Sequence, residues 1–445
     1  MVRSWSGQLR DKQGMSIRQL ILYAICLTHI GLSAQTTSPA SPNAPSLKAP
    51  LSLTQALEAA KQNALSRMSQ QDLAAANSDI LAADRAPLPI FSAKAAATDN
   101  ANQATTGQGL ATTQRRTDKS WGLDWTFERG GKRTHRTDAA KYNAQAASAE
   151  FAETQIQQQL VVKDLFFDLL SAQERTRHLQ AIAVAAETTA SATKLRAKAG
   201  DLSLQDMMRV EIESERAMSD YRKAQLEEKR ASFSLAQSLG LNTPSGQLLN
   251  VASDWPQATQ QALEQSQSLA SWLSTRPDLQ AFQLRMQAAE AQLENAKALA
   301  KIDPTIGLSV DSNPGTAKRF TELRVQFPLQ TSSTYDGEIG RATAQYYQAQ
   351  TQWEQAKLNA ESEWLSMREA YSAAMVRHKI YVQEILPRAQ KVAAQAELAY
   401  TKGAIPLVDL LDARRTLKTS LLEALEVQAD HAKAFTALQL RVAKP

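Results

Sequence analysis

From residue 51 onward, apolar positions recur at two different periods, and the alternation between them orders the predicted elements. Met207, Val210, Ala217, Ala224, Ala231 and Leu235 fall on a register running through 207, 210, 214, 217, 221, 224, 228, 231 and 235. That is a mean period of about 3.5, the mark of helices that supercoil against neighbours. Leu410, Ala413, Ser420, Val427, Ala434 and Leu438 repeat the register 203 positions later. The segments Ala199–Met208 and Lys402–Leu411 also align at this offset, each with Gly and Asp six apart. Tyr142 pairs with Tyr346 at 204 and Pro89 with Pro304 at 215, which leaves about a dozen extra residues between the strands of the first half. The pattern predicts helices near 53–85, 134–198, 204–239, 276–302, 337–401 and 407–441, the first capped by Thr54. Gly200 and Gly403 interrupt the long runs, as expected where a helix ends with positive φ, so each marks the tip of an antiparallel helical hairpin. A run from 134 to 198 spans roughly 95 Å at 1.5 Å per residue, beyond a globular domain's diameter.

Between the helices the period drops to two. Trp121, Leu123, Trp125 and Phe127 alternate with Ser120, Gly122, Asp124, Thr126 and Glu128. Ile306, Leu308 and Val310 alternate with Thr305, Gly307, Ser309 and Asp311. Leu323, Val325, Phe327 and Leu329 alternate with Glu322, Arg324, Gln326 and Pro328. A weaker segment, Leu88–Ala97, places Ile90 and Ser92 on one face and Phe91 and Ala93 on the other. The last two strands meet at a turn holding Asn313-Pro314-Gly315. Each strand therefore has one apolar and one polar face. Four such strands cannot close a barrel alone. They form either a small two-sided sheet over a few helical residues, or a share of an oligomeric barrel with lipid outside and water inside. Trp121 and Trp125 suit the second as interface anchors.

Residues 20–32 (LILYAICLTHIGL) follow Arg18 and precede Ser33-Ala34-Gln35. A basic flank, a short apolar core and a small-residue site describe a signal peptide over 1–34, whereas a spanning helix needs about 20 apolar residues. Met15 is an alternative start. Ile25 before Cys26 departs from a lipidation site, so the only cysteine is expected to leave with the leader. Residues 35–50 carry four prolines with Ser, Thr and Asn and read as a linker. The remainder divides into a first repeat (51–240), a connection (241–272) and a second repeat (273–445), each repeat ordered helix, two strands, two long helices. The leader and the lack of any other core tip the strands towards the barrel, since a chain without membrane-spanning helices enters lipid only as closed strands.

Composition agrees with long, thin helices. About 75 of the 445 residues are Ala, Gly and Pro number 16 and 15, and aromatics are 6%. The formal charge of +5 falls to about +2 without the leader, poor support for nucleic-acid binding. His135, His178, His378 and His431 have no second His or Cys at ligand spacing. No phosphate loop, dinucleotide fingerprint or serine elbow appears, so neither a catalytic residue nor a cofactor is expected. Glu211, Glu213 and Glu215 read as a solvated helix face with ion pairs, and Arg115-Arg116 and Lys132-Arg133 as basic clusters near strand ends.

Several landmarks now stand in order around the two tips: Leu53-Thr54-Gln55-Ala56-Leu57, Gly130-Gly131-Lys132-Arg133, and Arg276-Pro277-Asp278-Leu279. In this combination the chain resembles the TolC-type outer membrane efflux factors over about 51–441. Asp303-Pro304-Thr305-Ile306-Gly307-Leu308 and Leu410-Leu411-Asp412-Ala413-Arg414-Arg415 look most like the heavy-metal cation efflux branch. Thr331–Thr334 stands where a glycine junction would repeat, a departure from the pattern.

The resemblance implies a mainly α fold with a small β part, in a homotrimer. Four strands per protomer would join a twelve-stranded outer membrane β-barrel, and coiled-coil helices a periplasmic α-barrel. The membrane-facing residues would be Trp121, Leu123, Trp125, Phe127, Ile306, Leu308, Val310, Leu323, Val325 and Phe327. It implies a channel rather than an enzyme, with a periplasmic adaptor and an inner-membrane pump of the resistance-nodulation-division type as partners. Asp409 and Asp412 match the family's periplasmic gate. Asp206 and Tyr400 match a closed-state latch, with Ile405 where the family's arginine partner would fall. Gly200, Asp201, Leu202, Gly403, Ala404 and Ile405 match the tips that dock an adaptor. Two other readings compete: a periplasmic adaptor, which would need a β-sandwich and no duplication, and a soluble coiled-coil scaffold.

Overall fold

The structure, a computed structural model, describes residues 50–99, 115–241, 248–256, 268–313, 317–329 and 334–442. The expected leader, residues 35–49 of the linker, Pro314-Gly315 of the strand turn and 331–333 of the second junction lie outside the described residues. In chain order the elements are α1 (Leu53–Ala60), α2 (Ala64–Ala83), β1 (Ile90–Asp99), β2 (Arg115–Thr126), α3 (Lys132–Lys198) and α4 (Leu204–Ser238). The second half supplies α5 (Leu269–Thr275), α6 (Pro277–Leu299), β3 (Thr305–Asn313), β4 (Ala317–Gln326) and α7 (Asp336–His378). A π-helical segment (Lys379–Ile385), α8 (Leu386–Thr401) and α9 (Leu407–Val442) complete it.

The 3.5-residue register is the packing seam. On α4, Val210, Ala217, Ala224 and Leu235 are buried, and no seam position from 207 to 235 is exposed. On α9, Leu410, Ala413, Ser420, Val427 and Leu438 are buried likewise. Small seam residues let long helices approach closely over many turns. α3 runs unbroken for 67 residues. At its middle, Val162, Phe166, Phe167, Leu169 and Leu170 pack with Ala56 of α1, Leu235 of α4 and Ala432 of α9 into the largest apolar cluster. The connection adds Leu249 and Val251 to this cluster, Val251 bridging in parallel to Leu51.

Two expectations are corrected. The first helix is capped by Ser52, not Thr54: the Gln55 N–H donates to Ser52 Oγ while Gln55 Oε1 accepts from the Ser52 N–H, a capping box. That helix also ends at Ala60, and Asn63 caps a new one by accepting from the Ser66 N–H at 2.9 Å. The helix expected over 337–401 is likewise not uniform. Pro387 lacks the N–H that would reach residue 383 and its ring crowds that carbonyl. The chain answers with one turn of wider register, in which the Leu386 N–H donates to Tyr381 O, five residues back.

All four strands pair antiparallel in the order β1-β2-β3-β4, so the central pair, β2 and β3, joins the two halves of the chain. Phe91 pairs with Leu123, Leu123 with Leu308, and Leu308 with Leu323. Trp125, Ile306 and Val325 form the next like row. The apolar faces therefore merge into one continuous surface. Among the described residues, strand contacts of any extent run to other strands, and no helix lies along the sheet.

Candidate functional site

The sheet's apolar face is uncovered. Trp121 is 56% exposed, Trp125 50% and Leu323 71%, with Leu123, Leu308 and Val310 about half exposed. Such side chains each forgo about 1.5–3 kcal/mol when left in water. The opposite face is polar and internally bonded. Arg324 of β4 reaches Asp124 of β2 at 2.9 Å across Gly307 of β3, where a Cβ would collide with the Asp124 carboxylate. Ser309 donates to Asp311 at 2.8 Å on the same side. Among the described residues, β1 and β4 each carry one edge with no strand beside it. All ten residues expected to face a membrane lie on this apolar side or extend it past the strand ends, as Phe127 and Phe327 do.

Two of the sequence landmarks meet where the strands pass into α3. Gly130 and Gly131 hold φ of +75° and +74°, a left-handed pair open to glycine at little cost. Their turn delivers Lys132, buried, to Asp303 at 2.6 Å and to the Lys301 carbonyl at 2.7 Å. Asp303 also accepts from the Arg129 N–H at 2.8 Å, and the Phe127 N–H donates to Pro304 O. Arg136 holds Glu128 at 2.9 Å and Arg133 holds Asp84 at 3.0 Å, its hydrogen bond keeping the Asp84 carboxyl below its usual range. The third landmark does similar work lower down. Arg276, 5% exposed, lies over the Trp272 ring and pairs with Asp278 and Glu363, while Arg441 pairs with Glu153. The Arg276 guanidinium holds the Asp278 carboxyl below its usual range, against the opposing effect of burial.

At the far end the two hairpin tips pack together. Both turns close alike: the Asp201 N–H donates to Arg196 O and that of Gly200 to Ala197 O, while the Ala404 N–H donates to Ala399 O and that of Gly403 to Tyr400 O. Gly200 at φ +83° and Gly403 at φ +73° make these turns possible. Leu202 and Ile405 are half-buried, and Asp201 and Ala404 exposed. Val210 packs with Leu407, Leu410 and Leu411, and Tyr400 lies against this cluster. Asp206 accepts from its own cap, Ser203 Oγ, at 2.7 Å and sits 3.7 Å from Arg209. No hydrogen bond joins Asp206 to Tyr400 within the chain, among the described residues. Asp409 and Asp412 lie one turn apart on the exposed side of α9. The acidic face of α4 carries ion pairs, as expected: Glu213 takes Arg415 at 2.8 Å, Asp220 takes Lys418, and Glu211 faces Lys194 at 3.9 Å. Arg414 spans Glu397 and Thr189.

One grouping was not legible in the sequence. His378 and His431, 53 residues apart, bring their rings to 4.8 Å between centroids. His431 falls on the continued α9 seam register, which marks it as inward-facing but does not name its partner. No group of three or more metal-ligating side chains occurs among the described residues, and none of their helices is long and apolar enough to cross a membrane.

The family model described as "Outer membrane efflux protein" matches residues 52–241 and 268–442. The chain belongs to the outer membrane efflux protein family. Among relatives, the cobalt-zinc-cadmium resistance protein CzcC of Cupriavidus metallidurans is 25% identical over 325 residues, covering 70% of this chain and 74% of that one. The outer membrane protein VceC of Vibrio cholerae shares the fold with a TM-score of 0.69 at 17% identity, covering 88% of this chain and 94% of that one. The CmeC outer membrane channel of Campylobacter jejuni aligns with a TM-score of 0.74 at 13% identity, covering 88% and 85%. This efflux protein is thus an outer membrane channel, built as a helical bundle with a four-stranded sheet. Its uncovered apolar face and internally bonded polar face suit a strand wall between lipid and water.

Proposed function

We propose that three copies of this efflux protein close their sheets into one twelve-stranded barrel in the outer membrane, their helices forming a periplasmic tunnel. The observation that carries this reading is the merged apolar face of the four strands, which no helix covers and whose two edges have no strand beside them. Pairing β4 of one copy with β1 of the next satisfies both edges, and lipid satisfies the face. The chain on this reading is two copies of one unit, 51–240 and 273–445, joined by 241–272. The tips at Gly200-Asp201-Leu202 and Gly403-Ala404-Ile405 dock a periplasmic adaptor, which links an inner-membrane pump of the resistance-nodulation-division type.

The cargo we propose is divalent transition-metal cations, on the strength of the relative named for cobalt, zinc and cadmium resistance. Asp409 and Asp412 are exposed on one helical face, and threefold symmetry repeats each as a ring of three carboxylates, which attracts cations. Asp206 and Tyr400 latch the closed tips between neighbouring hairpins. Planar-bilayer conductance of the purified protein tests these roles. Asp409→Asn with Asp412→Asn is expected to lower cation-over-anion selectivity several-fold without abolishing conductance. Asp206→Ala is expected to raise open probability. Unchanged selectivity removes the gate role, and unchanged conductance in Asp206→Ala removes the latch.

A further inference from the structure

The packing of α7 on α9 brings together two imidazoles, one buried and one half-buried, that the proposed conduit does not use. His431 of α9 is 1% exposed, and its ring is 4.8 Å from that of His378, the last residue of α7, at an interplanar angle of 33°. Phe435 stacks on the other side of His431 at 6.1 Å and 16°, and Tyr371 lies 5.7 Å away. His378 Nδ1 and His431 Nε2 are both shut off from solvent with no hydrogen-bond partner. The π segment begins at the next residue, Lys379, and ends with the Leu386 N–H on the Tyr381 carbonyl, five residues back. Widened turns of this kind are weaker than α-helix and mark places where a helix can change register.

We propose that His378 and His431 form a proton-operated release for the π segment: neutral, the packed rings hold Lys379–Ile385 against α9, and protonated, they part and free it.

The surroundings leave an added proton without a counter-charge. Charged and titratable groups on the packed elements include Lys163, Asp164 and Asp168 of α3, Arg368, Glu369 and Arg377 of α7, Lys379, Tyr381 and Glu384 of the π segment, Arg388 of α8, and Glu426, Asp430 and Lys433 of α9. Asp164 has Lys163, Asp168 has Lys433, Asp430 has Arg377 and Glu384 has Arg388, while Glu369 and Glu426 are exposed to water. Lys163 is itself buried, donating to the Lys433 carbonyl at 3.1 Å. A charged imidazole here meets aromatic rings, a second imidazole and paired acids, so it is relieved by opening to water. Burial, and after it the neighbouring His378, pushes His431 down to about 4, and burial alone lowers His378. A histidine held neutral in the fold stabilises it fully above the unfolded value of about 6.5. That contribution is lost as pH falls towards 4, because the open form binds the proton first.

The inference concerns contacts within one chain and stands apart from the channel's stoichiometry and cargo. Hydrogen–deuterium exchange on the full-length protein in detergent, corrected for the intrinsic pH dependence of exchange, tests it. In the wild type, protection of peptides spanning 371–386 and 424–436 is expected to fall at least tenfold, reversibly, between pH 6.5 and 4, while α4 stays protected. His431→Phe, which keeps an aromatic ring beside Phe435, is expected to hold its protection across this range. Where that variant does not fold, His431→Met, which also removes the buried titratable ring, carries the same expectation. Flat wild-type protection, an equal loss in the variant, or a loss shared by α4 overturns the proposal. So does protection that rises on adding zinc at pH 7.5 and is reversed by a chelator, which would make the pair a metal site.

Discussion

Single residues fix the places where this chain changes direction. Gly130, Gly131, Gly200 and Gly403 all hold positive φ, and each stands where a helix begins or ends. The two tip glycines were legible from their position at the end of a periodic run. The glycine pair before α3 was legible only as a motif, since its purpose is to aim Lys132 at Asp303, 171 residues away. The Lys132 and Asp303 side chains are 7% and 25% exposed, so removing the lysine leaves a part-exposed carboxylate that keeps the Arg129 N–H. Lys132→Met is expected to cost about 1–3 kcal/mol, the range for leaving one polar group of a pair unsatisfied. Denaturant titration of the detergent-solubilised protein reads the loss. A change below about 1 kcal/mol would mean that Arg129 N–H and water hold Asp303 unaided.

Elements follow from period, and their interruptions from chemistry that period does not carry. The 3.5-residue seam gave α4 and α9 their buried faces, and strict alternation gave the strands theirs. The break at Asn63 and the π segment were missed by the periodic reading, although a capping residue and Pro387 inside a helical run signal them. Neither shows in the hydrophobic pattern, because each is a local backbone event between segments of unchanged register. The Arg276–Glu363 and His378–His431 partnerships were not readable at all: each needs two helices brought together by the fold. The strand face makes a prediction of its own. Trp121 and Trp125 sit on the uncovered side, whereas Trp272 is buried. In vesicles with brominated acyl chains, tryptophan fluorescence is expected to be strongly quenched in the wild type and much less in the variant carrying Trp121→Phe and Trp125→Phe. Equal quenching in both would place the apolar face away from lipid.

At the scale of the whole molecule, one chain is an incomplete object. Its helical part has a core around Phe166, Phe167 and Leu170, but its sheet has an unsatisfied face and two unsatisfied edges. Helical patterns alone fit a soluble scaffold equally well. The strands decide between them, because an exposed apolar sheet with open edges aggregates in water unless lipid and other copies complete it. Among the described residues, Asp409 and Asp412, the proposed gate, face outward, and Asp206 of the proposed latch meets Ser203 and Arg209 rather than Tyr400. The measurement that bears most directly on this account is the native mass of the mature protein after membrane fractionation. The account expects release from membranes only by detergent, and a particle of three chains. A monomer recovered in detergent-free buffer, with its sheet intact, would contradict it.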